Sequence, residues 1–126
     1  LGVCVGMQLL YERSEEGDVE CLGLLPGTVR KLPASAGIRV PHMGWNTLRS
    51  LRPSSLTQGL TADAYAYFVH SYAAPITGDC VASSENGSAF AAIAQRGHVA
   101  GAQFHPERSA AVGARLLQNF IEQDLQ

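Results

Sequence analysis

The sequence is poor in charge and has no long apolar run, and each shortage excludes a class of protein. Charged residues make up 16% of the 126 residues and the net charge is −2, so no basic surface for nucleic acid is predicted. The apolar runs are far shorter than the ~20 residues that a membrane-spanning helix requires. Residues 1–10 carry neither the basic region nor the cleavage site of a signal peptide, so they do not predict one.

Cysteine is also scarce. The three cysteines are Cys4, Cys21 and Cys80, and no two of them have CxxC spacing. This odd, sparse set argues against a disulfide framework and against a zinc site, and no metal or cofactor is predicted. It is typical of a reducing compartment, so we expect a cytoplasmic protein. We expect Cys21 and Cys80 to lie buried in the core, as unpaired cysteines usually do.

The apolar content of 46% is sufficient for the core of one globular domain. At the start of the chain, "LGVC" (1–4) predicts the end of a buried strand, and "VGMQLLYERSEE" (5–16) predicts a helix that Gly17 ends. A strand, a tight turn and a helix form the βα unit of a parallel sheet.

The middle of the chain is richer in β-branched and aromatic residues. Short runs of this type are "TVRKL", "IRVPHMGWNTL" and "AYAYFVHSYAA", and 51–60 is the most loop-like segment. Turn signals at Asn86-Gly87 and Arg96-Gly97 predict three antiparallel strands near 79–85, 89–95 and 98–104.

An amphipathic helix is predicted after Pro106, with Ser109 as its N-cap. Its apolar face is formed by Val112, Leu116, Leu117, Phe120 and Ile121, and its polar face by Arg115, Gln118, Asn119 and Glu122. The whole pattern predicts an α/β fold with a mixed, mainly parallel sheet flanked by helices. Because a doubly wound sheet usually has several βα units and only one is visible, we expect the sheet to be incomplete at the N-terminus.

The first candidate for chemistry is the G-x-C-x-G pattern of Gly2, Cys4 and Gly6. It has the form of a nucleophile elbow, a strained turn between a strand and a helix. Side chains two residues before and after the nucleophile would collide, the helix N-terminus would favour a thiolate, and the N–H of Val5 would stabilise an oxyanion. The alternative is a buried cysteine in a glycine-containing strand.

The second candidate is "QFHPERS", in which His105 ends an apolar strand and Glu107 follows Pro106. A cysteine nucleophile needs a base, and the base needs an orienting group. His105 and Glu107 could supply these roles, and Pro106 stiffens the connection between them. The alternative is a solvated histidine beside an acidic residue at a helix start.

Two further segments, "PHMGWN" (41–46) and "YFVHSY" (67–72), combine aromatic with polar residues. A lone tryptophan is usually a core residue or an interface anchor. Alternating aromatic residues mostly pack within a sheet, yet polar groups at a strand end are where open α/β sheets bind ligands. From the residues alone, a structural role is favoured for both segments.

Taken together, "GVCVGMQLL", "PHMGWN", "YFVHSY" and "QFHPERS" resemble the triad-type, class I glutamine amidotransferases, whose fold is flavodoxin-like. The resemblance covers essentially the whole chain and includes the order of the cysteine and the His-Pro-Glu segment. Within that family, the segments are most similar to the glutaminase subunits of imidazole glycerol phosphate synthases.

The resemblance implies a reaction and a partner. Glutamine would be hydrolysed to glutamate and ammonia, and the ammonia would pass through a tunnel to a cyclase subunit, a (β/α)₈ barrel. There it would react with a phosphoribosyl-formimino aminoimidazole carboxamide ribotide. The products would be imidazole glycerol phosphate, used in histidine biosynthesis, and an aminoimidazole ribotide.

The resemblance also implies roles for individual residues. The catalytic residues would be Cys4, His105 and Glu107, with Val5 in the oxyanion hole. The substrate-binding residues would be Gln8, Glu16, Ser71 and Tyr72, and the residues towards the cyclase would be Trp45, Asn46, Tyr67, His70 and Arg108.

Two departures from the family pattern affect these expectations. Arg108 stands where the family has lysine, and the two side chains are not interchangeable in a close contact. Family members also carry a further N-terminal segment that supplies strands and a second oxyanion donor. We therefore expect residues 1–126 to be the C-terminal portion of a single domain, insoluble or inactive alone. One missing oxyanion donor alone would cost on the order of 10²–10³ in rate.

The sequence is also compatible with three other functions. The chain could be the glutaminase subunit of another amidotransferase. It could be a catalytically inactive fragment that only binds a partner. It could also be a different Cys-His hydrolase, for instance one that acts on γ-glutamyl peptides.

Overall fold

The structure is a computed structural model that describes residues 1–123. Those residues form eleven strands, two α-helices and two 3₁₀ turns. The strands are β1 Gly2–Val3, β2 Arg13–Ser14, β3 Val19–Glu20, β4 Thr28–Lys31, β5 His42–Thr47, β6 Arg49–Ser50, β7 Tyr65–His70, β8 Tyr72–Ala73, β9 Cys80–Glu85, β10 Ala89–Arg96 and β11 Val99–Ala102. The helices are α1 Val5–Gln8 and α2 Ala110–Glu122, and the 3₁₀ turns are Ser55–Thr57 and Pro106–Arg108.

The main sheet has the strand order β1-β11-β10-β9-β6. The turns at Asn86-Gly87 and Arg96-Gly97 join β9, β10 and β11 into an antiparallel unit, which confirms the three strands predicted from these turn signals. β1 lies parallel to β11, with Gly2 opposite Gly101. This pairing places the start of the chain beside its last strand.

The mixed α/β class is confirmed, but the prediction of a mainly parallel sheet is wrong for the described residues. Only β1 with β11 and β2 with β4 pair in parallel there, and the remaining pairs are antiparallel. Parallel neighbours require long crossover connections, whereas short turns join β2 to β3, β9 to β10 and β10 to β11 as antiparallel neighbours.

The first helix is much shorter than predicted. It ends at Gln8, and the chain then turns into β2, so the helix expected over 5–16 is wrong beyond its first turn. The carbonyls of Leu9, Leu10, Tyr11 and Glu12, which a longer helix would use internally, accept hydrogen bonds from residues 21–25. Tyr11 is fully buried. Long-range contacts thus override the local helix pattern.

Strands β5 and β7 form a separate antiparallel pair in which His42 lies opposite His70 and Trp45 opposite Tyr67. Their inner face joins the larger apolar core, which contains Phe68, Phe90, Phe104 and Leu116. Segment 51–60 has little regular structure apart from its 3₁₀ turn, as predicted. The pair therefore presents one buried and one exposed face.

Helix α2 lies where the amphipathic pattern predicts it. Leu116 is buried, and Val112 and Phe120 pack against the core. Two assignments are wrong: Ile121 is 76% exposed, and Asn119 is buried. The Asn119 side chain lies inside because its amide donates to the carbonyls of Leu56 and Gln58, at 2.9 and 2.8 Å.

The predicted N-cap Ser109 precedes α2 but does not cap it with its side chain. Its hydroxyl instead donates to the His105 carbonyl at 2.7 Å and accepts from the Tyr67 N–H at 2.9 Å. Ser109 therefore ties the turn after β11 to strand β7.

The three cysteines are all unpaired. Cys80 is buried as predicted, but Cys21 is only partly buried, which corrects the expectation for that residue. Cys21 directly follows β3, whose two residues are exposed, so no core surrounds its side chain. Within residues 1–123, no helix is long and apolar enough to cross a membrane.

Candidate active site

Cys4 occupies a strained turn between β1 and α1. Its φ of 55° and ψ of −114° lie where residues with a side chain are rarely found. A Cβ added to Gly2 would overlap the Gly6 carbonyl, so the predicted close approach is real at Gly2. At Gly6 an added Cβ would meet nothing within 4 Å among the described residues, so that half of the prediction is wrong.

The Cys4 thiol is half-buried between two polar neighbours. Its Sγ lies 3.7 Å from the Val69 carbonyl, to which it donates, and 3.7 Å from the Gln103 amide nitrogen, from which it accepts. Burial is the main cause that raises the pKa of the thiol; nearby Glu107 and Glu16 raise it further, while the Val5 backbone N–H opposes them. The neutral thiol is therefore favoured at rest, and the nucleophile requires a base.

His105 and Glu107 come together beyond the end of β11. The Nδ1 atom of His105 lies 2.8 Å from a carboxylate oxygen of Glu107, and both side chains are partly exposed, at 29% and 58%. Since a carboxylate only accepts, Nδ1 donates, and in the neutral ring Nε2 is left as an acceptor. This is the tautomer that a general base needs.

Strand pairing brings the cysteine and this dyad to one edge of the sheet. The Cys4 N–H donates to the Ala102 carbonyl at 2.8 Å, which sets Cys4 beside Gln103, two residues before His105. Parallel neighbours end at the same edge, so the residues that follow β1 and β11 converge there. The electrostatic effect of Glu107 on the Cys4 thiol agrees with this convergence.

Two residues that fix this geometry were missed by the sequence analysis. A Cβ added to Gly113 would overlap the Pro106 carbonyl, so glycine lets α2 pack directly on the turn that carries the dyad. Gln103 is fully buried beside Cys4. Both had a signal: a glycine inside a helix pattern, and a polar residue inside the apolar run "AGAQF".

The expected substrate-binding residues lie around the same edge. Gln8 is buried, and its amide nitrogen donates to the Tyr72 carbonyl at 2.8 Å and to the Gln103 side-chain oxygen at 3.0 Å. Glu16 is exposed, and its negative charge helps to raise the pKa of the Cys4 thiol. Ser71 and Tyr72 follow β7, and both are partly buried.

The residues expected to face a partner fall into two groups. Trp45, Tyr67 and Arg108 form one surface, which we call the aromatic surface: Trp45 is 55% exposed and meets Tyr67 edge-on at 5.9 Å, and the Arg108 guanidinium lies 4.1 Å above the Tyr67 ring. His70 and Asn46 do not belong to it, because His70 is buried and the partly exposed Asn46 lies on the other face of its strand.

Strand alternation explains why the five residues separate into two groups. Tyr67 and His70 are three residues apart on β7, and Trp45 and Asn46 are adjacent on β5, so each pair points to opposite faces. His70 is buried, and the Asn46 amide donates to the carbonyl of Glu85 on strand β9 at 2.8 Å.

No group of three or more metal-binding side chains occurs among residues 1–123. What the edge can do chemically follows from its parts: a thiol on a strained turn, an imidazole oriented by a carboxylate, and a backbone N–H at the sulfur. This arrangement suits attack on an amide or another acyl group.

Comparison with known proteins shows the family of this chain. The sequence profile described as glutamine amidotransferase class-I matches residues 1–123. The chain is 63% identical over 122 residues to the protein named imidazole glycerol phosphate synthase subunit HisH of Xanthomonas oryzae pv. oryzae (strain MAFF 311018), which covers 97% of this chain and 61% of that protein. It is 60% identical over 124 residues to the protein of the same name in Xylella fastidiosa (strain Temecula1 / ATCC 700964), covering 98% and 62%.

A solved structure of a glutamine amidotransferase has the same fold, with a TM-score of 0.64 at 22% identity, over 96% of this chain and 58% of that one. The chain thus spans about three fifths of the length of the curated relatives it matches. The family profile extends over nearly the whole chain, including the Cys4 turn and the His105–Glu107 turn, and the chain therefore belongs to the class-I glutamine amidotransferases.

Proposed function

We propose that this chain carries the glutaminase site of an imidazole glycerol phosphate synthase and that the site hydrolyses glutamine to glutamate and ammonia. The observation that carries the proposal is that Cys4, on its strained turn, and the His105–Glu107 dyad lie at the same edge of the sheet, where the Glu107 charge raises the pKa of the Cys4 thiol. The high identity to proteins named as HisH subunits supports the choice of this synthase.

In the first half of the reaction, His105 Nε2 takes the proton of the Cys4 thiol, and the sulfur attacks the side-chain carbonyl carbon of glutamine. The carbonyl oxygen becomes negative and accepts a hydrogen bond from the Val5 N–H. When the carbon–nitrogen bond breaks, Nε2 returns its proton to the leaving nitrogen. Ammonia departs and a glutamyl thioester remains on Cys4.

In the second half, His105 removes a proton from water, and the resulting hydroxide adds to the thioester carbon. The carbon–sulfur bond breaks, the proton returns to the sulfur, and glutamate leaves. Glu107 stays ionised throughout and stabilises the imidazolium that forms twice in each cycle. A dyad that carries both charges benefits from contact with water, and both side chains of this dyad are partly exposed.

The substrate is held by groups around the same edge. Glu16 pairs with the α-ammonium of glutamine, and Ser71 and Tyr72 hold the α-carboxylate. Gln8 contacts the head group through its carbonyl oxygen, because both N–H bonds of its amide are used within the protein.

The ammonia passes to a cyclase subunit, a (β/α)₈ barrel, in a cytoplasmic heterodimer that acts as a lyase in histidine biosynthesis. The aromatic surface is the part of this chain that suits the contact, since an exposed tryptophan, a tyrosine and an arginine are the residue types enriched at interface hot spots. Three unpaired cysteines support the reducing setting.

The test is a Cys4→Ala variant of the intact protein assembled with its cyclase, with Cys21→Ala as the matched control. We expect Cys4→Ala to abolish synthesis from glutamine while synthesis from added ammonia persists, and Cys21→Ala to retain both activities. Equal loss of both activities in Cys4→Ala, or full glutamine-dependent activity in that variant, would contradict the proposal.

A further inference from the structure

A row of polar groups runs beneath the aromatic surface through the core of the β5–β7 pair. The Asn46 amide nitrogen lies 3.1 Å from His42 Nε2, His42 Nδ1 lies 2.9 Å from His70 Nε2, and His70 Nδ1 lies 2.9 Å from the Tyr72 carbonyl oxygen. Both histidines are only 6% exposed. No step of the proposed reaction uses either imidazole.

Hydrogen-bond chemistry gives the row a single direction. The Tyr72 carbonyl can only accept, so His70 Nδ1 carries the proton, and in a neutral ring Nε2 must accept. The bond between the rings is then donated by His42 Nδ1, which leaves His42 Nε2 to accept from the Asn46 amide. Every donor in the row thus faces an acceptor, and both imidazole rings are the Nδ1–H tautomer.

The surroundings keep both rings neutral. His42 stacks on Phe68 with ring centres 4.8 Å apart, and His70 meets Phe90 edge-on at the same distance. Burial lowers the pKa of His70 to about 4 and also lowers the pKa of His42. Two phenylalanines would fill this space without the cost of burying polar atoms, so packing does not explain the choice of histidine.

The far end of the row reaches the reacting sulfur. The Tyr72 carbonyl accepts a second hydrogen bond from the Gln8 amide, which also donates to Gln103, and the Gln103 amide lies 3.7 Å from the Cys4 sulfur. Both lone pairs of the Tyr72 carbonyl are thereby used. Its orientation fixes Gln8, and Gln8 in turn fixes Gln103.

We propose that His70, held in its tautomer by His42, is a positioning residue that orients the Tyr72 carbonyl and, through it, the Gln8 and Gln103 amides at the glutamine site. The inference rests on the proposed glutaminase function, because the consequence of the orientation is the binding of glutamine. His70 touches neither substrate nor nucleophile.

The decisive variant is His70→Phe, which keeps a ring among the neighbouring aromatic residues and removes the hydrogen bond to Tyr72. In the assembled enzyme we expect the KM for glutamine to rise about tenfold, the usual effect of one lost hydrogen bond. Synthesis from ammonia should stay unchanged. His70→Asn, whose amide can replace Nδ1 as the donor, should recover most of the affinity.

Leu56→Ala is the matched control, since Leu56 is fully buried in the larger apolar core and is not one of the aromatic residues around the two histidines. We expect it to lower the thermal midpoint while leaving the KM for glutamine unchanged. An unchanged KM in folded His70→Phe, or an equal rise in KM in Leu56→Ala, would overturn the proposal.

A second variant covers the case in which His70→Phe does not fold. His42→Phe removes the donor that fixes the His70 tautomer, and we expect a smaller rise in the KM for glutamine; no rise would overturn the proposal. The Cys4→Ala variant in the same assay tests the glutaminase assignment separately. Persistent glutamine-dependent activity in Cys4→Ala, or equal loss of its glutamine- and ammonia-dependent activities, would refute that assignment, whereas neither result bears on the role of His70.

Discussion

The molecule uses histidine in two environments that differ sharply in water access. At the sheet edge, His105 is 29% exposed and bonds to a carboxylate that is more exposed still. Inside the β5–β7 pair, His42 and His70 are nearly excluded from water and bond to each other. The first setting tolerates the imidazolium form and the second penalises it.

The comparison teaches that environment, rather than residue type, decides what an imidazole does. A ring that must take and return protons needs a counter-charge and access to water. A ring that only has to hold a neighbour in place benefits from a fixed neutral tautomer. Substitutions in the two environments should therefore have effects of different kind and size.

Substitution at the exposed ring should cost the most. For His105→Gln we expect glutamine-dependent turnover to fall by on the order of 10²–10⁴, since a general acid and base is lost. The measurement is kcat with saturating glutamine in the assembled enzyme, with ammonia-dependent synthesis as the control. A loss below about threefold would show that the dyad does not transfer protons, and the contrast with the buried pair would collapse.

The buried pair should make stability depend on pH. His70 has a pKa of 6.5 when exposed and about 4 in the fold, so between these values the unfolded state binds the extra proton. The contribution of neutral His70 to the free energy of unfolding is complete above pH 6.5. It decreases by on the order of 3 kcal/mol as the pH falls towards 4.

Chemical denaturation at pH 7.5 and pH 5 measures about 2 kcal/mol of this loss, and His70→Phe supplies the control. Over the same pH interval, we expect the free energy of unfolding to fall less in the variant than in the parent protein. Part of the fall should persist because the pKa of His42 is also lowered. Identical losses in the two proteins would mean that His70 is not held neutral by the fold.

The exposed dyad depends on the close approach of α2 to its turn. Gly113→Ala should lower the free energy of unfolding by about 1–3 kcal/mol, because the new methyl group overlaps the Pro106 carbonyl. Gly78→Ala, where an added Cβ meets nothing within 4 Å, is the matched control and should change stability by less than about 0.5 kcal/mol. Denaturant midpoints compare the two, and equal effects would refute the packing argument.

The smallest effect on the fold is expected on the outer face of the β5–β7 pair. Trp45→Ala should change the free energy of unfolding by less than about 0.5 kcal/mol but weaken cyclase binding at least about tenfold. Ile121→Ala on α2 removes another exposed apolar side chain and should leave binding unchanged. Titration of labelled cyclase measures both, and equal affinities for the two variants would remove the aromatic surface from the interface.

The same two regions differ in how far the sequence reveals them. Cys4 lies in a short glycine pattern, and His105 and Glu107 are two residues apart, so local spacing was sufficient to propose them. The turns at Asn86-Gly87 and Arg96-Gly97 likewise predicted three strands correctly. Features carried by neighbouring residues can be read directly from the chain.

The buried pair cannot be read in this way. His42 and His70 meet only because β5 and β7 pair in one register, and the family resemblance, not a local pattern, predicted that His70 faces a partner. The helix expected over 5–16 failed for a similar reason, since residues 21–25 take its carbonyls. Long-range hydrogen bonds decided both outcomes, and no local pattern records them.

The central claim is that Cys4 is the nucleophile that attacks glutamine, and the chain carries its own internal controls. An alkylating analogue of glutamine, applied to the protein assembled with its cyclase, should modify Cys4, and excess glutamine should prevent the reaction. Peptide mass spectrometry should find buried Cys80 and partly exposed Cys21 unmodified, because neither faces a substrate site. Labelling of Cys21 with Cys4 left intact, or labelling of Cys4 that glutamine does not slow, would contradict the account.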